Sequence, residues 1–340
     1  MTQSLASVVL SPPQISKAPA WHDTTWLAGA LTRVNKQIRS MCAGCEALEE
    51  EIAYATLGPG KRIRAGLLLS WRAIAFGDTN SDETTERAAA AIELIHEASL
   101  IHDDVCDNSV YRRGRSSVAA RFGIPRATLA GAVLSGRGIA ELAAICEREG
   151  IELDLETLRC LVKGQILESL AGRTPYFEGA HPYFGIICSK TGSLFRLACA
   201  LGADLGARYR EPFDLAAPLA FADSLAIAYQ VLDDVLDIEA DPLLKPGRGD
   251  IAGGVPTWPI LEWIASTPRP QIAWERLRQT HKSFLDIQQL HSEIAASGSI
   301  QKARSLIQAE LETAETFISA FQPGEAVDGL RKLLAFLASR

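Results

Sequence analysis

The sequence predicts an all-α protein built as one large helical bundle, and three observations carry that prediction. Apolar residues recur at helical spacing over long stretches, whereas alternation bounded by hairpin turns is hard to find. The chain of 340 residues is 47% apolar, enough for a sizeable core, and no segment is long or polar enough to read as an interdomain linker. Two clusters of three aspartates each follow an apolar run, and they lie far apart in sequence. They must meet to share a ligand, which one bundle satisfies better than two independent domains.

Taken in order, residues 1–20 are rich in Ser and Pro and predict a loose arm before a single domain over 21–340. Gly58-Pro59-Gly60 marks a break. Ala88 to Asp107 reads as a long apolar helix that starts in the acidic, Thr-rich segment Thr84 to Glu86. Further breaks fall at Gly123-Ile124-Pro125 and Thr174-Pro175. Lys190-Thr191-Gly192 opens another apolar helical run, and Phe221 to Asp237 repeats the design of apolar helix followed by aspartates. After a break at Pro246-Gly247, a last stripe runs through Ala303, Leu306, Ile307, Leu311, Ala314, Phe317, Ile318 and Phe321.

Composition excludes several classes. A net charge of -7 with both signs mixed argues against a nucleic-acid binder. The seven cysteines are scattered and odd in number, and no secretory signal precedes them, so reduced thiols in a cytoplasmic protein are expected. Cys42-Ala43-Gly44-Cys45 is a lone C-x-x-C without a second pair or a His at zinc spacing. No apolar stretch is expected to reach the length of a membrane span.

The chemistry lies in the aspartates. Asp103-Asp104-Val105-Cys106-Asp107 and Asp233-Asp234-Val235-Leu236-Asp237 both read D-D-x-x-D. On a helix the first and last Asp of each motif stand one turn apart on one face. One such cluster is ordinary as a solvated acidic helix end. Two in the same spacing and apolar setting need cations, and hard oxygen ligands suit Mg2+, which keeps waters and completes its shell with phosphates. Basic residues gather elsewhere, at Lys61-Arg62-Ile63-Arg64, at Arg112-Arg113-Gly114-Arg115, at Lys190 and at Lys245. Singly these are solvated surface clusters. Together they supply the bidentate Arg contacts and Lys point charges for two anionic ligands, one on metals and one held without them.

These segments resemble the trans-isoprenyl diphosphate synthases, the polyprenyl synthetase family. Glu93 to Asp107 followed by Arg112-Arg113-Gly114 is similar to their first aspartate-rich region, and Tyr229 to Asp237 to their second. Gly60-Lys61-Arg62-Ile63-Arg64, Gly164-Gln165, Lys190-Thr191 and Lys245 to Asp250 resemble four further motifs, all in family order. The resemblance implies an isoprenoid-synthase bundle around a central active-site cavity, usually homodimeric. It implies condensation of isopentenyl diphosphate with an allylic diphosphate, through Mg2+ ions expected to number three per site. Asp103, Asp107 and Asp233 then are the main metal ligands, with Asp104, Asp234 and Asp237 in support. Arg112, Lys190 and Lys245 join the metals on the allylic diphosphate, and Thr191 and Gln230 stand beside the carbocation. Lys61, Arg64, His96 and Arg113 hold isopentenyl diphosphate. His102 is expected in a structural hydrogen bond or beside the metals through water.

Ile95, Ala98 and Ser99 precede the first motif at the level where the growing tail is expected. Small side chains there, with no aromatic ring, predict a product of C20 or longer; the competing reading is that they only permit close helix packing. Three positions depart from the family pattern. Val255 stands where a Lys is usual, Arg137 where an Asp is usual, and Ala65 where a Pro is usual. Two alternatives stay open: a class I terpene cyclase, disfavoured by the second D-D-x-x-D, and a non-catalytic synthase subunit, expected to have lost Asp ligands.

Overall fold

Helix starts are set locally and helix positions by burial. The computed structural model describes residues 24–340 apart from 57, 59, 172–181, 209–211, 241–248 and 280–281. The expected arm over 1–20, the breaks at Thr174-Pro175 and Pro246-Gly247, and Lys245 lie outside the described residues.

In chain order the first helices are α1 (Thr25–Cys42), α2 (Glu49–Thr56), α3 (Ile63–Phe76) and α4 (Glu83–Cys106). Asp82 caps α4 by accepting from the Thr85 amide at 2.8 Å, with Glu83 and Glu86 in the first turn. This cap contributes about 1 kcal/mol and places the start one residue before the expected Thr84. Ala88 to Ile95 are all buried, so α4 is a core helix enclosed on every side.

A two-strand hairpin follows, β1 (Tyr111–Arg112) and β2 (Arg115–Ser116), paired antiparallel. Both turn residues, Arg113 and Gly114, have positive φ (52° and 76°), as a two-residue type I′ turn demands. Then come α5 (Val118–Phe122), α6 (Ile124–Glu149), α7 (Leu155–Ala171) and α8 (Tyr183–Ile187). The Gly123 break separates α5 from α6. Residues Cys188–Gly192 form one π-helical turn that joins α8 to α9 (Ser193–Ala207) without a gap.

Helix α10 (Ala216–Glu239) carries the second motif. It is followed by α11 (Asp250–Gly253), α12 (Trp258–Ser266), α13 (Pro270–Arg278), α14 (Phe284–Ala296), α15 (Ser299–Ile318) and α16 (Glu325–Ala338). The terminal stripe falls on α15 except Phe321, which lies past its end and packs edge-on against Trp71, ring centroids 5.5 Å apart.

The bundle is all-α, as expected. Its main pairs are α4 with α6, α3 with α9 and α10 with α15, and one apolar cluster runs through all six. A smaller cluster, built on Ile238, Ile260, Trp263, Trp274 and Leu290, seats α11 to α14 against the end of α10. Glycines set the closest approaches. A Cβ on Gly202 would stand 2.3 Å from the Leu68 carbonyl oxygen, and one on Gly206 would stand 2.5 Å from that of Arg72. Gly131 and Gly138 of α6 play the same part, against His102 and against Ala91 and Ile95.

The expectation that no segment reaches the length of a membrane span is amended. Helix α6 and the run Tyr183–Ala207 are long and apolar enough by length and composition. The latter is mostly buried inside the bundle. Helix α6 buries one face on α4 and leaves much of the other apolar and uncovered.

Candidate active site

Both aspartate motifs occupy the C-terminal part of a long helix. Asp103 and Asp104 lie within α4, and Asp107 caps its end through a backbone bond to the Asp103 carbonyl. Asp233, Asp234 and Asp237 lie within α10. Within each motif the members differ. Asp103, Asp104 and Asp234 are buried, Asp107 and Asp233 are exposed, and Asp237 is intermediate.

The partners separate them further. Asp104 accepts two bonds from Arg112, at 3.0 Å from Nε and 2.6 Å from Nη2. Asp234 accepts from the Tyr183 hydroxyl, from Gln230 Nε2 at 3.2 Å and from the Trp258 amide at 3.2 Å. Asp237 accepts from the Asp250 amide at 2.8 Å. Asp103 pairs with the Lys190 ammonium at 3.0 Å. Burial pushes Asp103 and Asp234 up to about 6 in spite of these donors.

The π-turn connects the two motifs. Lys190 reaches Asp103 on α4 and also pairs with Glu168 on α7. Its neighbour Thr191 donates to Gln230 Oε1 on α10 at 3.1 Å. A π-turn inserts an extra residue into the helical ladder, and such turns concentrate at functional sites. Gly164 of α7 permits the arrangement, because a Cβ there would lie 2.6 Å from the Lys190 amide nitrogen.

A second cationic group lies beside the second motif. Arg62 has a left-handed backbone (φ 45°), which costs about 1 kcal/mol for a non-glycine residue. It is held by Asn35 Oδ1 at 3.1 Å, the Thr56 carbonyl at 2.8 Å, Glu93 at 3.3 Å and Glu97 at 3.5 Å. Lys61 and Arg64 flank this anchor. The Lys61 ammonium lies 5.7 Å from the Tyr229 ring centroid and feels the attraction of Asp233. Arg64 lies over the Phe195 ring, and its Nε is buried without a hydrogen-bond partner. Arg113 pairs with Glu97 at 2.9 Å. Burial, then the guanidiniums of Arg64, Arg113, Arg62 and Arg112, push His96 well below its usual value, so the imidazole is neutral. A neutral donor among four guanidiniums with one buried N–H unpaired suits an anion.

The structure thus brings Asp103, Lys190, Thr191, Gln230 and Asp234 into one chain of contacts. It gathers Lys61, Arg64, His96 and Arg113 into a second group. Arg112 is engaged with Asp104. His102 turns to α6, its ring packed on Gly131 and its Nε2 3.3 Å from the Thr128 carbonyl. Ile95 and Ala98 are buried, Ile95 against Gly138, while the Ser99 hydroxyl donates to the His96 carbonyl at 2.8 Å.

Arg137 donates to the Met41 and Ala43 carbonyls, at 2.5 and 3.0 Å, and so closes the C-terminal end of α1. Near Val255, the Lys282 ammonium lies on the Ala252 carbonyl at 3.4 Å and the Gln279 carbonyl at 3.1 Å. The sequence motifs assign no role to Glu168, Tyr183, Glu93 or Glu97, and Arg62 figures in them only within its basic cluster. Charge inside the apolar runs of α4 was the one available signal, and it pointed to Glu93 and Glu97.

The donor set fits a hard divalent ion. Each motif offers carboxylate oxygens only, and Asp104 and Asp234 already hold several protein donors. Among the described residues no three His, Cys, Asp or Glu side chains converge to cage an ion. An ion held here would complete its shell with water and ligand oxygens, as Mg2+ does at diphosphate sites.

Comparison with known proteins agrees. Residues 45–294 match the family model described as Polyprenyl synthetase. A probable mitochondrial hexaprenyl pyrophosphate synthase of Neurospora crassa is 33% identical over 74% of this chain, the match spanning 57% of the relative's length. An all-trans-nonaprenyl-diphosphate synthase of Rhodobacter capsulatus is 33% identical over 70% of this chain and 71% of its own. The crystal structure of a polyprenyl synthase from Caulobacter crescentus, complexed with calcium and isoprenyl diphosphate, superposes with a TM-score of 0.76 at 25% identity. That superposition covers 97% of this chain and 99% of the other.

Proposed function

This chain belongs to the polyprenyl synthetase family, and we propose that it is a Mg2+-dependent prenyltransferase joining isopentenyl diphosphate to an allylic diphosphate. The product is a trans-polyprenyl diphosphate of C20 or longer. The observation that carries the reading is the pairing of two unlike anion sites. One lies where the Lys190-Thr191 turn links the aspartate motifs. The other is the metal-free basic group around Arg62, next to Asp233. A cyclase that only ionises an allylic diphosphate has no use for the second.

Asp103, Asp107 and Asp233 would hold Mg2+, which would supply positive charge to the departing diphosphate. Lys190 adds a point charge on the same group, and Arg112 fixes Asp104 beside it. Thr191 and Gln230 aim dipoles at the carbon that becomes electron-poor. Lys61, Arg64 and Arg113 bind the isopentenyl diphosphate, and neutral His96 donates to it without adding charge. Buried α4, α9 and α10 keep water from the cation. Long products are also named for both curated relatives, a hexaprenyl and a nonaprenyl synthase.

The same reading makes the chain a homodimer. Helix α7 exposes Leu155, Val162, Ile166 and Leu170, and α6 exposes Leu129. The test of function is incubation with labelled isopentenyl diphosphate, Mg2+ and each of the C5, C10 and C15 allylic primers, followed by product sizing. Chains of C20 and above are expected. Consumption of the allylic substrate without isopentenyl diphosphate indicates a cyclase, and inactivity of the isolated chain indicates a partner-dependent subunit.

A further inference from the structure

The second aspartate of the second motif stands apart from its neighbours. Asp234 is buried and receives three protein donors: the Tyr183 hydroxyl and Trp258 amide on Oδ2, and Gln230 Nε2 on Oδ1. Tyr183 is itself buried, wedged edge-on against Phe184 with centroids 5.3 Å apart and beside Trp258. Four segments meet at this one carboxylate: α8, α10, the start of α12 and, through Gln230, the π-turn.

The chain of bonds has a direction. An ionised carboxylate only accepts, so Gln230 must turn its NH2 to Asp234 and its carbonyl oxygen to Thr191. That oxygen only accepts, so the Thr191 hydroxyl must donate to it. On the prenyltransferase reading, the lone pairs of Thr191 are then left free for the carbon that becomes electron-poor. If Asp234 were free to rotate, the Gln230 amide could flip and the hydroxyl dipole would lose its fixed sense. A buried tyrosine needs some partner for its hydroxyl, and ordinary core packing would satisfy that with any carbonyl. Here the partner is a motif carboxylate whose other oxygen sets the amide.

We propose that Tyr183 is a positioning residue for the ionisation step, acting through Asp234 and Gln230 to fix the Thr191 hydroxyl. Asp234 is accordingly an anchor of this chain rather than a metal ligand. The inference rests on the prenyltransferase reading and adds a residue outside the motifs that suggested it.

The test is a double-mutant cycle in the full-length protein. Thr191→Val and Tyr183→Phe are each expected to lower kcat about tenfold, the scale of one lost directed hydrogen bond. The KM for isopentenyl diphosphate should stay unchanged, because Lys61, Arg64, His96 and Arg113 are untouched. Tyr183 and Thr191 share no hydrogen bond, yet the double variant should be no slower than the slower single one. Slowing by the product of the two factors would overturn the inference, as would full kcat in Tyr183→Phe. Calorimetric binding of an unreactive allylic diphosphate analogue with Mg2+ should be unchanged in Tyr183→Phe, and its loss would make the residue merely structural. Should Tyr183→Phe fail to fold, the cycle is run with Asp234→Asn, where additive slowing again overturns the inference. Absence of turnover in the parent chain instead overturns the prenyltransferase reading.

Discussion

Single carboxylates in this protein are set by what surrounds them. Asp103 and Asp234 have the same side chain as exposed Asp107, yet burial pushes both up to about 6. The sign for stability follows. A carboxyl raised on folding binds a proton in the native state that the unfolded chain has released. Metal-free stability from these two groups therefore falls as pH rises from about 4 to about 6, by roughly 2–3 kcal/mol each. Asp103→Asn should raise the Tm of the chelator-treated protein at pH 7, and that gain should shrink to about a third at pH 4.5; an equal gain at both values would contradict the shift. Identity and spacing made the six aspartates legible in the sequence. Their division of labour was hidden, because the Tyr183 and Lys190 partners lie 51 and 87 positions away from Asp234 and Asp103.

At the scale of elements, the long helices were legible because their signals are local. Asp82 with Thr85 marks the start of α4, and apolar periodicity marks its length. The β1–β2 hairpin escaped because its strands are two residues long and its turn is Arg-Gly rather than Asn-Gly. The π-turn escaped because no composition requires it; the packing of Gly164 on Lys190 does. Close glycine seams make a direct prediction. Gly202→Ala should cost about 1–3 kcal/mol or more in denaturant unfolding, because its Cβ meets the Leu68 backbone and neither helix can yield alone. Gly185→Ala, where a Cβ meets nothing within 4 Å, should be neutral or stabilising. The tail reading is tested on α4. Ala98→Phe should shorten the product by one or more C5 units in a primer-extension assay, at an overpacking cost of about 1–3 kcal/mol. An unchanged product length would mean that the tail runs elsewhere and that Ala98 serves only helix packing.

For the whole molecule, the sequence supported a single bundle because its two motifs had to meet. The structure adds that they meet through a third element, the π-turn between them. It also gives Arg137 a role at the end of α1, which the family resemblance alone made puzzling. The uncovered apolar faces of α6 and α7 predict assembly. Light scattering should return twice the chain mass of 36.7 kDa, and Val162→Asp with Ile166→Asp should halve it. A parent protein already at 36.7 kDa would remove the homodimer from the reading.

The Lys190 ammonium bridges Asp103 and Glu168, so a carboxylate proposed to hold a cation already carries one. A cation that takes Asp103 must compete with one already in place. On the proposed reading, a diphosphate would give Lys190 a new partner and free the carboxylate. Cation binding at Asp103 and diphosphate binding at Lys190 are therefore coupled on that reading, each favouring the other. Mg2+ titrated alone should bind far more weakly than Mg2+ titrated with diphosphate, and Lys190→Met should narrow that gap. One ammonium group thus ties the two proposed binding events together by competition as well as by contact.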